Sequence, residues 1–379
     1  MNTTHGRNMA RRRRTLRACV TAASVLSAAF GMNAAASIHI PPPLPVTQIL
    51  PVTVTASTVA ANGDMNPYGV AFAPTDFPAG GVLNAGDLLI SDFDNREGKA
   101  GLGVSLVRIQ PTGQQSTFFQ GSGVGVTAGL SVLRAGFVLV ASLPTRDGTT
   151  ATVQQGSLLV IDKNGSLVTS IADPDLLDGP WNLTVLDRGR TALVFVSNAL
   201  TGSVTRLVLT MTQTGTGPTV SASNLTRIAS GYAHRLDPAV LVVGPCGLAY
   251  DSWHDALFVA STGDNAIFRV ANARTTTADN GTGTVLFNDQ VHLHGPLRLV
   301  FGPNSHLFAA NSGGPDPINA SDVVELTDRG QFVSQQTVDP KSGGGFSLHF
   351  TRDATGVRRM AWVNDIGSTA TIVKLLSAD

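Results

Sequence analysis

Cysteine and charge are both scarce in this chain of 379 residues. It has 2 cysteines, and only 14% of its residues are charged, with 26 basic side chains balanced by 26 acidic ones. A chain of zero net charge produces no long-range field that would attract nucleic acid or an anionic membrane. We therefore expect no nucleic-acid partner, and any partner should be a small molecule or a protein.

Residues that favour helices are also few. Lys and Glu are sparse, whereas Gly (40 residues), Ser, Thr, Asn and Val fill the polar and turn positions. This composition favours strands over helices. The 42% of hydrophobic residues can bury a full core without a metal or a disulfide. The sequence therefore predicts an all-β protein.

The N-terminus has the pattern of a secretory signal. Residues 11–14 and Arg17 are basic, residues 18–30 are largely apolar, and the small residues 34–36 resemble a cleavage site. The apolar run is too short to cross a membrane as a helix. We expect residues 1–36 to be a signal peptide, and export to the periplasm or the cell exterior by either the Sec or the twin-arginine route.

Two further features follow from this assignment. Residues 37–51 contain PPPLP (41–45) and predict a stiff linker, so that residues 52–379 would form the folded domain. Cys19 would leave with the signal peptide, and Cys246 alone would remain, which excludes an internal disulfide. Because Cys246 lies in an apolar strand, we interpret it as an inert core residue rather than a nucleophile.

A short strand pattern recurs six times after the linker. Each copy opens through a Pro or Gly turn, as in PYGVAF (67–72), TAGLSV (127–132), PWNLTV (180–185), PCGLAY (245–250), PLRLVF (296–301) and GFSLHF (345–350). A second apolar run that ends in a polar residue follows, then a third, and in five copies a fourth. Six copies of four strands predict a six-bladed β-propeller of four-stranded blades.

The sixth copy lacks a fourth strand, whereas residues 52–60, VTVTASTVA, alternate cleanly and belong to no copy. We expect this N-terminal strand to pair in the last blade and close the ring.

The repeats also carry a family resemblance. GPCGLAYD and ALFVASTGDNAIFRV, in which Asp264 and Asn265 precede an Ile-x-Arg strand, resemble an NHL repeat of the six-bladed propeller superfamily. That superfamily includes gluconolactonase-like and streptogramin-lyase-like propellers together with many binding modules. The resemblance implies the propeller fold and leaves the activity open.

Two sets of repeat positions are expected at one end of the central channel. The residues that follow the opening turn are mostly apolar and suit either a pocket floor or packing; they are Tyr68, Ala128, Trp181, Cys246, Leu297 and Phe346. The polar residues that end the second strands are Asp92, Ser142, Asn198, Ser261, Asn311 and Asn364. We predict channel-mouth candidates in Asp92, Asn198, Asn311, Asn364, Tyr68, Trp181 and Arg298.

Oxygen donors in the second set predict a divalent-cation site. Carboxylate and amide oxygens are ligands that Ca²⁺ prefers, so the candidate metal ligands are Asp92, Asn198, Asn311 and Asn364, with Ca²⁺ the most plausible ion. The alternative is that these side chains cap strand ends and bond turn backbones. The lactonase resemblance implies an additional Glu near an inner strand, and the six openings contain none.

The sequence therefore supports two hypotheses of function. The first is an exported binding or scaffold module, favoured because no complete catalytic constellation is present. The second is an extracytoplasmic lactonase- or lyase-like enzyme that uses a divalent cation in the channel. His292 and His294 stand one residue apart, but with no third ligand in local spacing they are weak candidates for a metal site.

Overall fold

The computed structural model describes residues 49–214, 217–311 and 320–375. The predicted signal peptide (1–36) and most of the predicted linker (37–51) lie outside these residues. The described part contains 26 β-strands and one short 3-10 helix, Thr150–Thr152. Within it, no helix is both long enough and apolar enough to cross a membrane.

Six antiparallel sheets of four strands form the blades. The first blade contains β2 (Met65–Phe72), β3 (Leu88–Asp94), β4 (Ala100–Ile109) and β5 (Gln115–Gln120). The second contains β6 (Val126–Leu133), β7 (Phe137–Ser142), β8 (Ser157–Asp162) and β9 (Leu167–Ile171). The third contains β10 (Pro180–Asp187), β11 (Thr191–Asn198), β12 (Ser203–Thr214) and β13 (Gly217–Ser230).

The remaining blades follow a small additional hairpin, β14 (Arg235–Asp237) and β15 (Leu241–Val243). The fourth blade contains β16 (Pro245–Asp251), β17 (Ala256–Ser261), β18 (Ala266–Ala271) and β19 (Thr284–Phe287). The fifth contains β20 (Pro296–Phe301), β21 (Leu307–Asn311), β22 (Ser321–Leu326) and β23 (Phe332–Asp339). The sixth contains β24 (Gly345–Arg352), β25 (Arg358–Asn364), β26 (Thr369–Leu375) and β1 (Ile49–Ser57).

Successive inner strands contact one another around the ring, and β24 returns to β2. Neighbouring blades share apolar cores, which explains why the second strands are apolar on both faces. In β3, for example, Leu89 packs in a core with Leu130 of the second blade, whereas Ile90 packs with Val363 of the sixth. The predicted six-bladed propeller is confirmed.

The ring is closed by the N-terminal strand, as predicted. Strand β1 pairs antiparallel with β26, with Ser57 opposite Thr369 and Val54 opposite Ile372. The strand starts at Ile49 and ends at Ser57, so it begins inside the predicted linker and stops before residue 60. A turn accounts for the earlier end, because the backbone of Ala60 bonds to Asp64 and Gly63 bonds back to Ala60.

The hairpin β14–β15 was not predicted. Its second strand is fully buried, and Leu241 and Val242 join a cluster at the channel. The run LVVG directly before PCGLAY was the available signal, but strands of three residues are too short to show a period.

Candidate functional site

The six positions that open the inner strands pack together in one apolar cluster. Tyr68 of the first blade meets Trp181 of the third with ring centroids 5.7 Å apart and Phe346 of the sixth at 4.7 Å. The first and third blades are not neighbours in the ring, so the contact of Tyr68 with Trp181 reaches across the channel. This end of the channel is therefore filled by an apolar plug, formed by Tyr68, Ala128, Trp181, Cys246, Leu297 and Phe346.

Further side chains cover the plug. Phe93 lies at a bulge of β3 and packs edge-on against Trp181 at 5.2 Å. Leu143 and the hairpin residues Leu241 and Val242 belong to the same buried cluster. The backbone φ angle of Leu241 is 67°, which is unfavourable for a non-glycine residue. Its side chain is buried in the cluster, which is favourable.

Cys246 lies inside this plug. It is 1% exposed, and burial raises the pKa of its thiol to about 12. Because the thiolate is the reactive form of cysteine, this thiol is a poor nucleophile in the folded protein, in agreement with its interpretation as a core residue.

The polar residues that end the second strands bond mostly to neighbouring loops. Asn198 donates from Nδ2 to the carbonyl of Leu176 at 3.1 Å, in the connector that leads into the third blade. Asn311 donates to the carbonyl of His292 in the connector before the fifth blade. Asn364 donates to Asp339 Oδ2 at 2.7 Å, at the end of β23. These contacts anchor connectors to strand ends.

Asp92 occupies the same position in the first blade, but its environment is different. It is fully buried, and neither carboxylate oxygen has a hydrogen-bond partner. Burial, followed by the charges of Asp64, Asp94 and Asp365, raises its pKa well above the usual range for aspartate. The neighbouring Asp94 and Asp365 have pKa values raised to about 6 and about 7, again mainly by burial.

The four predicted metal ligands differ in the oxygen atoms they leave available. Asn311 Oδ1 accepts the N–H of His294, and Asn364 Oδ1 accepts the N–H of Gly367, whereas the side-chain oxygens of Asp92 and Asn198 Oδ1 have no partner. Residues 49–214, 217–311 and 320–375 contain no group of three or more His, Cys, Asp or Glu that could hold a metal ion. A four-residue metal site remains a prediction.

The two histidines of the fifth connector make local contacts. His292 Nδ1 lies 2.7 Å from Asp289 Oδ2, and its ring stacks on Phe332 with centroids 3.9 Å apart. His294 Nε2 lies 3.1 Å from the carbonyl of Val291. Each ring has a partner close in sequence or in the next blade, as expected for an ordinary structural role.

Beyond the plug, the channel contains a cavity of about 250 Å³ between the inner strands. It is lined by the later residues of those strands, including Thr184, Tyr250, Phe301 and Phe350. These four side chains are partly exposed, so the cavity is accessible at the end opposite the plug. We call it the channel cavity.

Arg298 lines the channel cavity directly after the plug residue Leu297. The Arg298 side chain is 5% exposed and donates from Nη1 to Asn182 Oδ1 at 2.6 Å, whereas its Nε has no partner. Burial lowers the pKa of Arg298 to about 10, a value at which the guanidinium still carries its charge at neutral pH.

His349 lines the same cavity. Burial, and then the charge of Arg298, lowers the pKa of its imidazole to about 3. The ring is therefore neutral at physiological pH, and its buried Nδ1 has no partner. Sequence analysis missed His349, although it stands two residues after Ser347 in the opening run GFSLHF. A titratable residue inside an otherwise apolar inner strand was the signal.

Comparison with known proteins supports the fold. No protein-family model and no curated sequence matches the chain. The structure is similar to the major allergen Mala s 1 of Malassezia sympodialis, with 14% identity over 86% of this chain and 96% of the allergen and a TM-score of 0.54. It is also similar to a gluconolactonase from Xanthomonas campestris, with 14% identity, coverage of 84% and 88%, and a TM-score of 0.50.

A virginiamycin B lyase from Staphylococcus aureus matches at 12% identity over 85% of this chain and 99% of the lyase, with a TM-score of 0.46. Identities this low concern the fold alone. The fold that the repeats implied is thus shared with the allergen and the gluconolactonase.

Proposed function

We propose that this protein is an exported binding module that holds a small ligand in the channel cavity. The observation that carries the proposal is the contrast between the two ends of the channel. The apolar plug fills one end. The other end has an accessible cavity lined by the charged Arg298 and the neutral His349. Export rests on the signal-like residues 1–36.

The lining of the cavity supports this function. Ligand sites in proteins contain a few placed polar groups that fix the orientation of the ligand. The channel cavity combines aliphatic and aromatic side chains with Arg298, His349 and the hydroxyl residues Ser131 and Thr184. In addition, Trp253 is 93% exposed in the β16–β17 turn, at the same end of the ring as the cavity, where it could contact a ligand or a protein.

The alternative is a divalent-metal-dependent enzyme of the lactonase or lyase type. One observation favours it: Asp92 is buried with two unpartnered oxygens, and a cation would compensate such a group. The fold is shared with a gluconolactonase. In this alternative Ca²⁺ is the most plausible ion, and Asp92 is the ligand on which its binding would depend most.

One set of melting experiments separates the two functions. A panel of small molecules and the ions Ca²⁺, Mg²⁺, Mn²⁺ and Zn²⁺ would be tested on the wild type, on Ser131→Phe, which fills the cavity, and on Ser221→Phe, a matched change on the exposed face of β13. A ligand at 100 times its Kd stabilises a protein by about 2.7 kcal/mol. We expect compounds that stabilise the wild type and Ser221→Phe but not Ser131→Phe.

A stabilising ligand that acts equally on Ser131→Phe would contradict binding in the channel cavity, as would a panel without any stabilising compound. Stabilisation by a divalent ion that is lost in Asp92→Asn would favour the enzyme instead.

A further inference from the structure

Arg298 is a buried cation without a carboxylate partner. The ion pairs formed among residues 49–214, 217–311 and 320–375 do not include it. The residues that line the channel cavity include no Asp or Glu. Its one hydrogen bond is to a neutral amide, that of Asn182.

A cation in this position is costly unless an anion accompanies it. Removing a charge from water without a counter-charge costs several kcal/mol, and one neutral hydrogen bond offsets only a part of that cost. The Nε of Arg298 is a further N–H without an acceptor. A carboxylate in the cavity would supply the missing charge, and guanidinium and carboxylate groups pair in a planar, two-bonded geometry.

Neighbouring groups fit the same ligand group. His349 is held near Arg298 and is neutral, so it adds no repulsive charge and can donate an N–H to a carboxylate oxygen. The hydroxyl residues Ser131 and Thr184 line the cavity from the second and third blades. These donors come from rigid inner strands, which favours a preorganised site.

The remainder of the lining indicates the ligand body. Most of the surface that faces the cavity is polar, because apolar residues of its lining such as Leu248 and Phe301 pack in the cores between blades. A volume of about 250 Å³ is smaller than the usual site for a drug-sized ligand. A compact organic acid matches this size, whereas a large sugar acid or a polyanion does not.

We propose that the channel cavity binds a small organic carboxylate whose charged group pairs with Arg298 and whose remaining atoms contact the inner strands. This inference rests on the proposed binding function and adds the chemical class of the ligand.

The test uses titration calorimetry of the intact chain with acetate, butanoate and benzoate, at constant ionic strength. Benzamide, the neutral counterpart of benzoate, and inorganic phosphate are the comparison probes. The variants are Arg298→Met, which keeps the length of the side chain without its charge, and Arg329→Met, a matched change at an exposed arginine of the β22–β23 turn. Arg298→Met removes an unpaired buried charge, and Asn182 Oδ1 still accepts the N–H of Leu183, so Arg298→Met should fold, and its melting curve would verify this.

We expect benzoate or butanoate to bind the wild type and Arg329→Met, and to bind Arg298→Met at least about tenfold more weakly, as for the loss of one charge-assisted contact. Equal binding of benzoate to Arg298→Met would overturn the inference, as would the absence of binding by all three acids. Benzamide binding as tightly as benzoate would overturn the choice of an anion and leave the binding function standing. Phosphate binding as tightly as benzoate would overturn the choice of a carboxylate over other anions.

Discussion

At the residue scale, the position that ends the second strand of each blade shows how a change of residue type changes the role of a side chain. Asn198, Asn311 and Asn364 end their second strands and donate hydrogen bonds to a connector or a neighbouring strand. Asp92 stands at the same position, and a carboxylate has no N–H to donate. In a buried site without partners, the protonated form is favoured over the charged one, which is why the pKa of Asp92 is raised.

The raised pKa values predict that the folded protein loses stability as the pH rises. In the folded state Asp94 and Asp365 have pKa values of about 6 and about 7, compared with the ordinary 3.8. At these two groups the folded state therefore holds more protons than the unfolded state between about pH 4 and pH 7, and linkage makes their contribution to the free energy of unfolding fall across that window. Below pH 4 this contribution is fully present. His349, whose pKa is lowered to about 3, makes a smaller contribution of opposite sign below about pH 6.5.

Asp365 is the best position at which to measure the effect. It faces Asp94, and its charge also acts on Asp92 and Tyr68. Asp365→Asn should reduce the loss of unfolding free energy between pH 5 and pH 8 by on the order of 2 kcal/mol, measured by urea denaturation. Asp328→Asn, in an exposed turn, is the control and should follow the wild type. If the unfolding free energy of Asp365→Asn depends on pH as that of the wild type does, this account of the aspartates between the first and last blades is refuted.

At the element scale, strands were predictable where the chain repeats and less so where it departs from the repeat. Apolar runs bounded by Gly and Pro turns identified the blades, because each blade buries both faces of its middle strands and needs a tight turn between them. The hairpin β14–β15 has no counterpart in other blades, and three residues show no period. The end of β1 was placed too late because Thr58 and Val59 are β-branched residues that favour strands, although the chain leaves the strand there and turns at residues 60–64.

Strand β1 should be necessary for cooperative folding. It closes the last blade by pairing with β26, and its residues Val54 and Ala56 pack against the core shared by the first and sixth blades. Removing residues 49–57 would leave β26 as an open edge and expose this core. We expect the truncated chain to melt over a broader range and at a lower temperature than the chain that begins at residue 37, by circular dichroism and calorimetry. Identical melting curves for the two chains would contradict ring closure by β1.

At the scale of the whole molecule, the channel is asymmetric. The aromatic residues of the inner-strand openings meet across the axis and form the plug, and the later residues of the same strands leave the channel cavity. Sequence analysis identified both Trp181 and Arg298 as channel candidates. It could not place one in a plug and the other in a cavity, because that depends on distances across the ring, which no local pattern encodes.

The function proposed here depends on that asymmetry, which thiol labelling tests most directly. Cys246 is the reporter for the plug. In the Cys246→Ala background, Ser131→Cys would place a thiol in the channel cavity. We predict that the thiol of Ser131→Cys reacts rapidly with a small alkylating reagent in the folded protein. Cys246 of the wild type should react at a rate limited by unfolding, because its thiol is buried and its pKa is raised to about 12. Rapid native labelling of Cys246 together with a protected Ser131→Cys would mean that the opposite end of the channel is open, and would contradict the account.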